Sequence, residues 1–302
     1  MSEQSPARHS YFSYLLLAIL CLLGVQVGLP SLSYGQLVDY DDFAGPFIDP
    51  AKWLGNESPG NNNNANTEAM RHIQEGALRL YLITHGGVDI DEGRRTSRFG
   101  LQVTLPEFLT AMQADVTIAQ VAAQSCEANT SETRSRAQLI ARFFNDGSSP
   151  GPGDSTGDIF AGIQKVRSTA SGDRIEAFAG RCSNAPCSSS TVELFFAFES
   201  PMIMGQTDTL QMIWDDAGSQ FLYAVNTGTP EEETVALSYA ELFTNMGPPN
   251  FNVGRLRANN SVVHCTASRK MAVMEALYDN IRVNPEAVPP PDPMAPMGVS
   301  DR

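Results

Sequence analysis

The chain has 302 residues, of which 42% are hydrophobic and 18% charged, proportions that place it among globular proteins and exclude a disordered one. Acidic residues outnumber lysine plus arginine by 34 to 20, giving a formal charge of −14. So acidic an average surface repels a phosphate backbone, which excludes nucleic acid as the natural partner.

At the N-terminus, Arg8 and His9 lead into the apolar run Tyr14 to Gly24, followed by Ser33-Tyr34-Gly35 with small residues at positions −3 and −1 of a cleavage. Residues 1–35 therefore read as a signal peptide, and the mature chain starts at Gln36. The apolar run is shorter than the ~20 residues of a bilayer span and is broken by Gln26, so no membrane span remains after cleavage. The chain is expected to be secreted, periplasmic or at the cell surface. Removing the leader removes Cys21 and leaves Cys126, Cys182, Cys187 and Cys265. An even number in an exported chain reads as two disulfides. Cys182 and Cys187 bracket the turn Ser183-Asn184-Ala185-Pro186, which favours the local pair and leaves Cys126 with Cys265 as a long-range staple. Their spacing lacks the paired ligands of a zinc site.

From Gln36 the chain enters a first strand around Asp41-Asp42-Phe43, then a turn and Trp53, a residue suited to core or loop cover. Asn61 to Asn64 read as an exposed loop. Ala77 to Thr84 alternates Leu78, Leu80 and Leu82 onto one face. The mixed-charge segment Gly86 to Arg98 is expected as a loop, with Arg94 and Arg95 among its charges. Strands follow at Phe99 to Leu105, Asp115 to Ala122, Gln138 to Asn145, Asp158 to Arg167, Arg174 to Ala179 and Thr191 to Glu199. Thr209 to Gly228 is a hairpin: Leu210, Met212 and Trp214 alternate, and after a polar turn Phe221, Tyr223 and Val225 resume the pattern. Val253 to Arg257 and Met271 to Val283 complete about a dozen strands. Helical signals are few and short, at Pro106 to Met112 and at Ser238 to Met246, where Ser238 suits an N-cap and Gly247-Pro248 a stop. Strands without alternating long helices predict an all-β, antiparallel two-sheet sandwich over 36–284, followed by a Pro-rich tail, 285–302, expected to be extended.

Three stretches, Asp41-Asp42-Phe43 with Asp49 to Trp53, the hairpin Thr209 to Gly228, and Leu277 to Val283, together resemble the concanavalin A-like lectin/glucanase superfamily, including its laminin-G-like jelly rolls. The resemblance implies that the first and last strands share a sheet and that ligand binds on the concave face. It also implies a structural calcium near the paired terminal strands, for which Asp41, Asp42 and Asp279 supply hard oxygen donors. It is specific for fold and weak for function, since the superfamily holds lectins, hydrolases, lyases and adhesion domains.

Catalytic motifs are missing. A glycosidase needs two carboxylates about 5–9.5 Å apart, and the superfamily's hydrolase pattern Glu-x-Asp-x-x-Glu does not occur. Glu193 and Glu199, six residues apart on one strand, are roughly 20 Å distant. A lyase would need His or Tyr beside Arg and Gln or Asn; His72, His85, His264, Arg94 and Arg95 are the ingredients, and none sits in a lyase-type histidine motif or an Arg-rich strand. A binding module needs aromatic platforms beside polar groups; Tyr81, Tyr223, Trp214 and Phe221 offer the rings, with Trp214 read as core, and the candidate ligand-binding residues are Arg94, Arg95, Tyr81 and Tyr223. The expected function is a non-catalytic module that binds a glycan or another cell-surface partner. The alternatives are a divergent polysaccharide hydrolase or lyase, and a structural surface protein.

Overall fold

The computed structural model describes residues 37–57, 65–104, 109–250 and 254–285. The leader, the Asn61 to Asn64 loop, part of the expected turn at Pro106 and nearly all of the Pro-rich tail lie outside the described residues.

Fifteen strands follow one another: β1 (Val38–Asp41), β2 (Trp53–Glu57), β3 (Thr67–Gln74), β4 (Ala77–His85), β5 (Arg94–Val103), β6 (Ala111–Ala123), β7 (Arg134–Asn145), β8 (Asp158–Ser168), β9 (Gly172–Cys182), β10 (Ser190–Ala197), β11 (Thr207–Asp215), β12 (Gln220–Val225), β13 (Glu233–Ser238), β14 (Gly254–Val263) and β15 (Met271–Val283). They form two antiparallel sheets stacked as a jelly-roll sandwich. One sheet has seven strands in the order β10-β9-β8-β7-β14-β5-β2. The other has eight, ordered β13-β12-β11-β6-β15-β4-β3, with β1 beside the last residues of β15. The first and last strands thus share a sheet, Val38 opposite Val283.

Alternation explains the core. In β7, Ala137, Leu139 and Ala141 are buried against the opposite sheet, and a bulge between Arg142 and Phe144 lets both Phe143 and Phe144 join them. The hairpin β11–β12 pairs Leu210 with Val225, Met212 with Tyr223 and Trp214 with Phe221, and the first two pairs are fully buried. Trp214 is half-buried, its ring tilted against Phe144 with centroids 5.2 Å apart and its indole N–H donated to the Tyr239 hydroxyl at 2.8 Å.

Three expectations are corrected. No α-helix is present among the described residues, and no helix is long and apolar enough to cross a membrane. Ala111 and Met112 open β6, where Met112 pairs with Met212. Ser238 ends β13, and the next residues make one turn, with the Leu242 and Phe243 amides donating to the Tyr239 carbonyl; Tyr239 and Phe243 are buried in the core and fix that turn in place. Arg94 to Arg98 is not loop but the first half of β5, because every residue from Arg94 to Gln102 pairs with β14.

Candidate functional site

The outward face of the seven-stranded sheet carries a groove of about 400 Å³. The same alternation that buries Leu139 sends Arg134, Arg136, Gln138, Ile140 and Arg142 of β7 into it, and sends Arg255, Arg257 and Asn259 of β14 alongside. Arg98 of β5 adds a further cation, and Gln164 and Glu176 extend the floor through β8 and β9. Phe160, Phe178, Val192 and Phe195 line the far side, where Cys187 forms part of the wall.

The polar floor is one chain of hydrogen bonds between direct cross-strand partners. Arg257 faces Gln138, Gln138 faces Gln164, and Gln164 faces Glu176. The Arg257 Nε–H and the Asn259 amide N–H both donate to Gln138 Oε1 at 2.9 Å. Gln138 Nε2 donates to Gln164 Oε1, and Gln164 Nε2 donates to Glu176 Oε2 at 2.5 Å. Each amide is thereby oriented by the cation at one end and the carboxylate at the other. Glu176 is fully buried and taken up by Arg134 and Arg174.

The arginines divide into two groups. Arg134 is neutralised by Glu176, and Arg142 by Asp158 at 3.1 Å. Arg136, Arg255 and Arg257 have only neutral partners: Arg136 donates to the Ser261 hydroxyl at 2.6 Å and to Asn259, Arg255 to Gln102 at 3.3 Å, and Arg257 to Gln138. Burial, then the charges of Arg134, Arg98 and Arg94, push Arg136 down to about 9. Burial with Arg142 and Arg98 brings Arg255 to about 10. Arg257, only 6% exposed, is held well below its ordinary value by burial and by Arg98, Arg255 and Arg136. Three desolvated cations repelling one another carry a cost that the charge of Glu176 offsets only in part at Arg136 and that no carboxylate offsets at Arg255 and Arg257.

Gly162 makes room for the Phe178 ring. A side chain there would stand 2.6 Å from the Phe178 ring and 2.8 Å from the Leu139 carbonyl, so the Phe178 ring lies across β8 where β8 has no side chain. Phe178 packs edge-on against Phe160 with centroids 6.3 Å apart, and its carbonyl accepts the Tyr223 hydroxyl from the opposite sheet at 2.7 Å.

The groove was not among the sequence expectations. Tyr223 is 2% exposed, and its hydroxyl supports the Phe178 backbone from within the core instead of meeting a ligand. Tyr81 belongs to β4 of the other sheet. Arg94 shares a strand face with Arg98 and contributes to the field on Arg136, whereas Arg95 donates to the His85 carbonyl at 3.1 Å; neither lines the groove. Two strands that the sequence reading did not single out, β7 and β14, are rich in arginine. Their signal was legible as Arg-x-Arg-x-Gln-x-Ile-x-Arg and Arg-x-Arg-x-Asn, a period-two pattern with arginine in the outward positions.

The lining holds no His and no Tyr, and its one carboxylate, Glu176, is fully ion-paired. The two-carboxylate and His–Tyr arrangements weighed from sequence are thus not assembled there. Glu193 pairs with Arg181 at 3.0 Å, and a bulge between Val192 and Leu194 shifts its register. His264 accepts the Gly87 amide at Nδ1, and His85 faces Glu68 at 3.9 Å.

At the terminal strands, Asp41 Oδ2 accepts the Trp53 indole N–H at 2.6 Å and its Oδ1 accepts the Phe43 amide at 3.1 Å. Asp42 accepts the Ala44 amide, and Asp279 the Asn280 amide at 2.7 Å. Burial and the neighbouring charges of Asp115, Asp42 and Asp41 raise Asp279 above the usual carboxylate range, so these acids lie close enough to repel. Asp42 and Asp279 each keep one oxygen without a partner here, while both oxygens of Asp41 are engaged; the set fits a cation only in part. The other compact donor group, Asp91 with Cys126 and Cys265, offers no thiolate, because the two sulfurs are joined to each other. Cys182 and Cys187 are joined likewise, and the Cα separations are 5.7 and 4.9 Å.

No protein-family model and no curated protein matches the chain. Among solved structures it is similar to the catalytic domain of an endo-1,3-beta-glucanase (laminarinase) from Thermotoga petrophila, at 12% identity over 81% of this chain and 98% of that one, TM-score 0.42. It is similar to a pseudo beta-1,3-glucanase of Mycobacterium tuberculosis, described as an immunostimulatory antigen, at 14% identity over 83% and 99%, TM-score 0.42. A legume lectin-like domain from Entamoeba histolytica matches at 11% identity over 80% and 98%, TM-score 0.34.

Proposed function

We propose that the chain is an exported, non-catalytic module that binds an acidic polysaccharide in the arginine groove. The observation that carries this reading is the trio Arg136, Arg255 and Arg257, one buried and two half-buried, whose hydrogen-bond partners are all neutral. A fold tolerates such a cost where an anion repays it on binding. Gln138, Gln164 and Asn259 supply the amides that sugar hydroxyls need, and the phenylalanines supply apolar surface for ring faces. Calcium belongs to the proposal as a structural ion at Asp42 and Asp279, where it would offset the burial and the carboxylate repulsion that together raise Asp279.

The test is retention of the mature protein, Gln36 onward, on polygalacturonate and heparin against neutral dextran and laminarin, with product release scored in the same samples. Retention on the acidic polymers without product is expected. Retention on laminarin with released oligosaccharide would reverse the proposal in favour of a hydrolase. A rise in melting temperature on adding calcium, abolished in Asp279→Asn, is the expected sign of the ion.

A further inference from the structure

We infer that the ligand lies across the strands and is read at two places, an acidic group at Arg255 and Arg257 and the apolar face of a second sugar ring at Phe195, which the buried Phe178 backs. The inference rests on the reading of the groove as a site for acidic polysaccharide and assigns its two halves.

One cross-strand row carries both chemistries. Gln102, Arg255, Ile140, Gly162, Phe178 and Phe195 are consecutive partners on β5, β14, β7, β8, β9 and β10. In the middle of the row Gly162 has no side chain, and the Phe178 ring lies over it, packed in one cluster with Ile140 and Phe160. Cations therefore stand at one end of a trough and aromatic rings at the other. From Arg255 to Phe178 is three inter-strand steps, roughly 14 Å, and Phe195 lies one step further. That span exceeds one sugar ring, so the two ends meet different residues of an oligomer.

Each end is shaped for its task. Arg255 and Arg257 are tethered through Nε, to Gln102 and Gln138, which leaves both terminal nitrogens of each guanidinium to grip an oxyanion in the two-pronged mode. They stand two residues apart on one strand face, about 7 Å. At the other end Phe195 remains 49% exposed although Arg174 lies over its ring at 5.5 Å, and Val192 beside it is also exposed. Arg174 is itself paired with Glu176, and Arg181 with Glu193 of the same edge strand, so the cations at this end are matched by carboxylates. A flat apolar ledge beside a polar trough is the surface on which a sugar ring stacks.

The experiment measures binding of galacturonate and its oligomers up to the hexamer across a range of salt concentrations, in wild type, Phe195→Ala, Phe195→Leu and Arg255→Gln. Affinity is expected to rise about tenfold from the monomer to the hexamer as the aromatic end is reached. Phe195→Ala removes that gain and leaves the salt dependence intact. Arg255→Gln weakens every length by about tenfold or more and flattens the salt dependence. Both are exposed or half-buried positions, and a thermal melt confirms the fold. Galacturonate or inorganic phosphate binding as tightly as the hexamer, or a length dependence unmoved by either Phe195 variant, would overturn the two-ended assignment while leaving acidic-ligand binding standing. No binding of any acidic probe would overturn both.

Discussion

Arg257 sits 6% exposed in a wall of neutral amides, and its energetics follow from that placement. Its folded-state pKa, like those of Arg136 and Arg255, lies below the unfolded value. The unfolded chain then binds more protons in the window between the two, so the cost of these cations is fully present at neutral pH and is relieved as pH rises through about 9. Replacing Arg136 by Met, which has similar length and no charge, is expected to stabilise the fold by on the order of 1 kcal/mol while weakening acidic-ligand binding. Paired thermal melts and binding titrations check this; a fall of several degrees would mean that the guanidinium holds the sheet. Tyr223→Phe tests the opposite face of the same site. Losing the hydroxyl leaves the buried Phe178 carbonyl without that donor, a cost of about 1–3 kcal/mol, and binding of long oligomers should weaken with it.

At the scale of the element, the two disulfides divide stability from function. Cys126–Cys265 spans 139 residues and Cys182–Cys187 only 5. Chain entropy alone gives about 5 kcal/mol for the first and about 2 kcal/mol for the second. Substituting both cysteines of the long pair by alanine should therefore lower the melting temperature more. Substituting the short pair should cost more binding, because Cys187 walls the groove; equal losses of affinity from the two would contradict this. The strands themselves show why the sequence was read unevenly. Central elements such as β15 and the β11–β12 hairpin declare themselves, since one face is wholly apolar and the turn residues are polar. Edge strands do not: β3 is half-exposed on both faces, and β2 and β13 are short, so their alternation is blurred. In β7 the inward residues are legible, but the outward arginines do not by themselves mark a site, because a charge on an outward position is ordinarily a solvated one. Only the neighbouring strand, brought alongside by register, makes a row of such charges into a site. Tyr223 was misplaced for the complementary reason, since alternation says which residues share a face and not which face meets the other sheet.

Across the whole molecule, a body of net charge −14 exposes a cationic trough on one side. Its surroundings repel a polyanion at long range and its floor attracts it at short range. Binding should therefore weaken as salt screens the arginine contacts. It should also hold steady from pH 6 to 8 and decline as pH rises through about 9 to 10, where Arg136 and Arg255 lose protons that a bound anion would retain. Affinity that increases above pH 10 would exclude these arginines as the anion's partners. The terminal strands carry a separate consequence. Val38 of β1 lies directly opposite Val283 of β15, so the start of one strand and the end of the other are side by side in an antiparallel pair. Tension applied through those two points would open β1 one hydrogen bond at a time, like a zipper, and would not shear many bonds at once. The domain therefore yields at small force where a tether would have to resist, which suits a module that grips a polymer through its face better than one that transmits tension along its own chain.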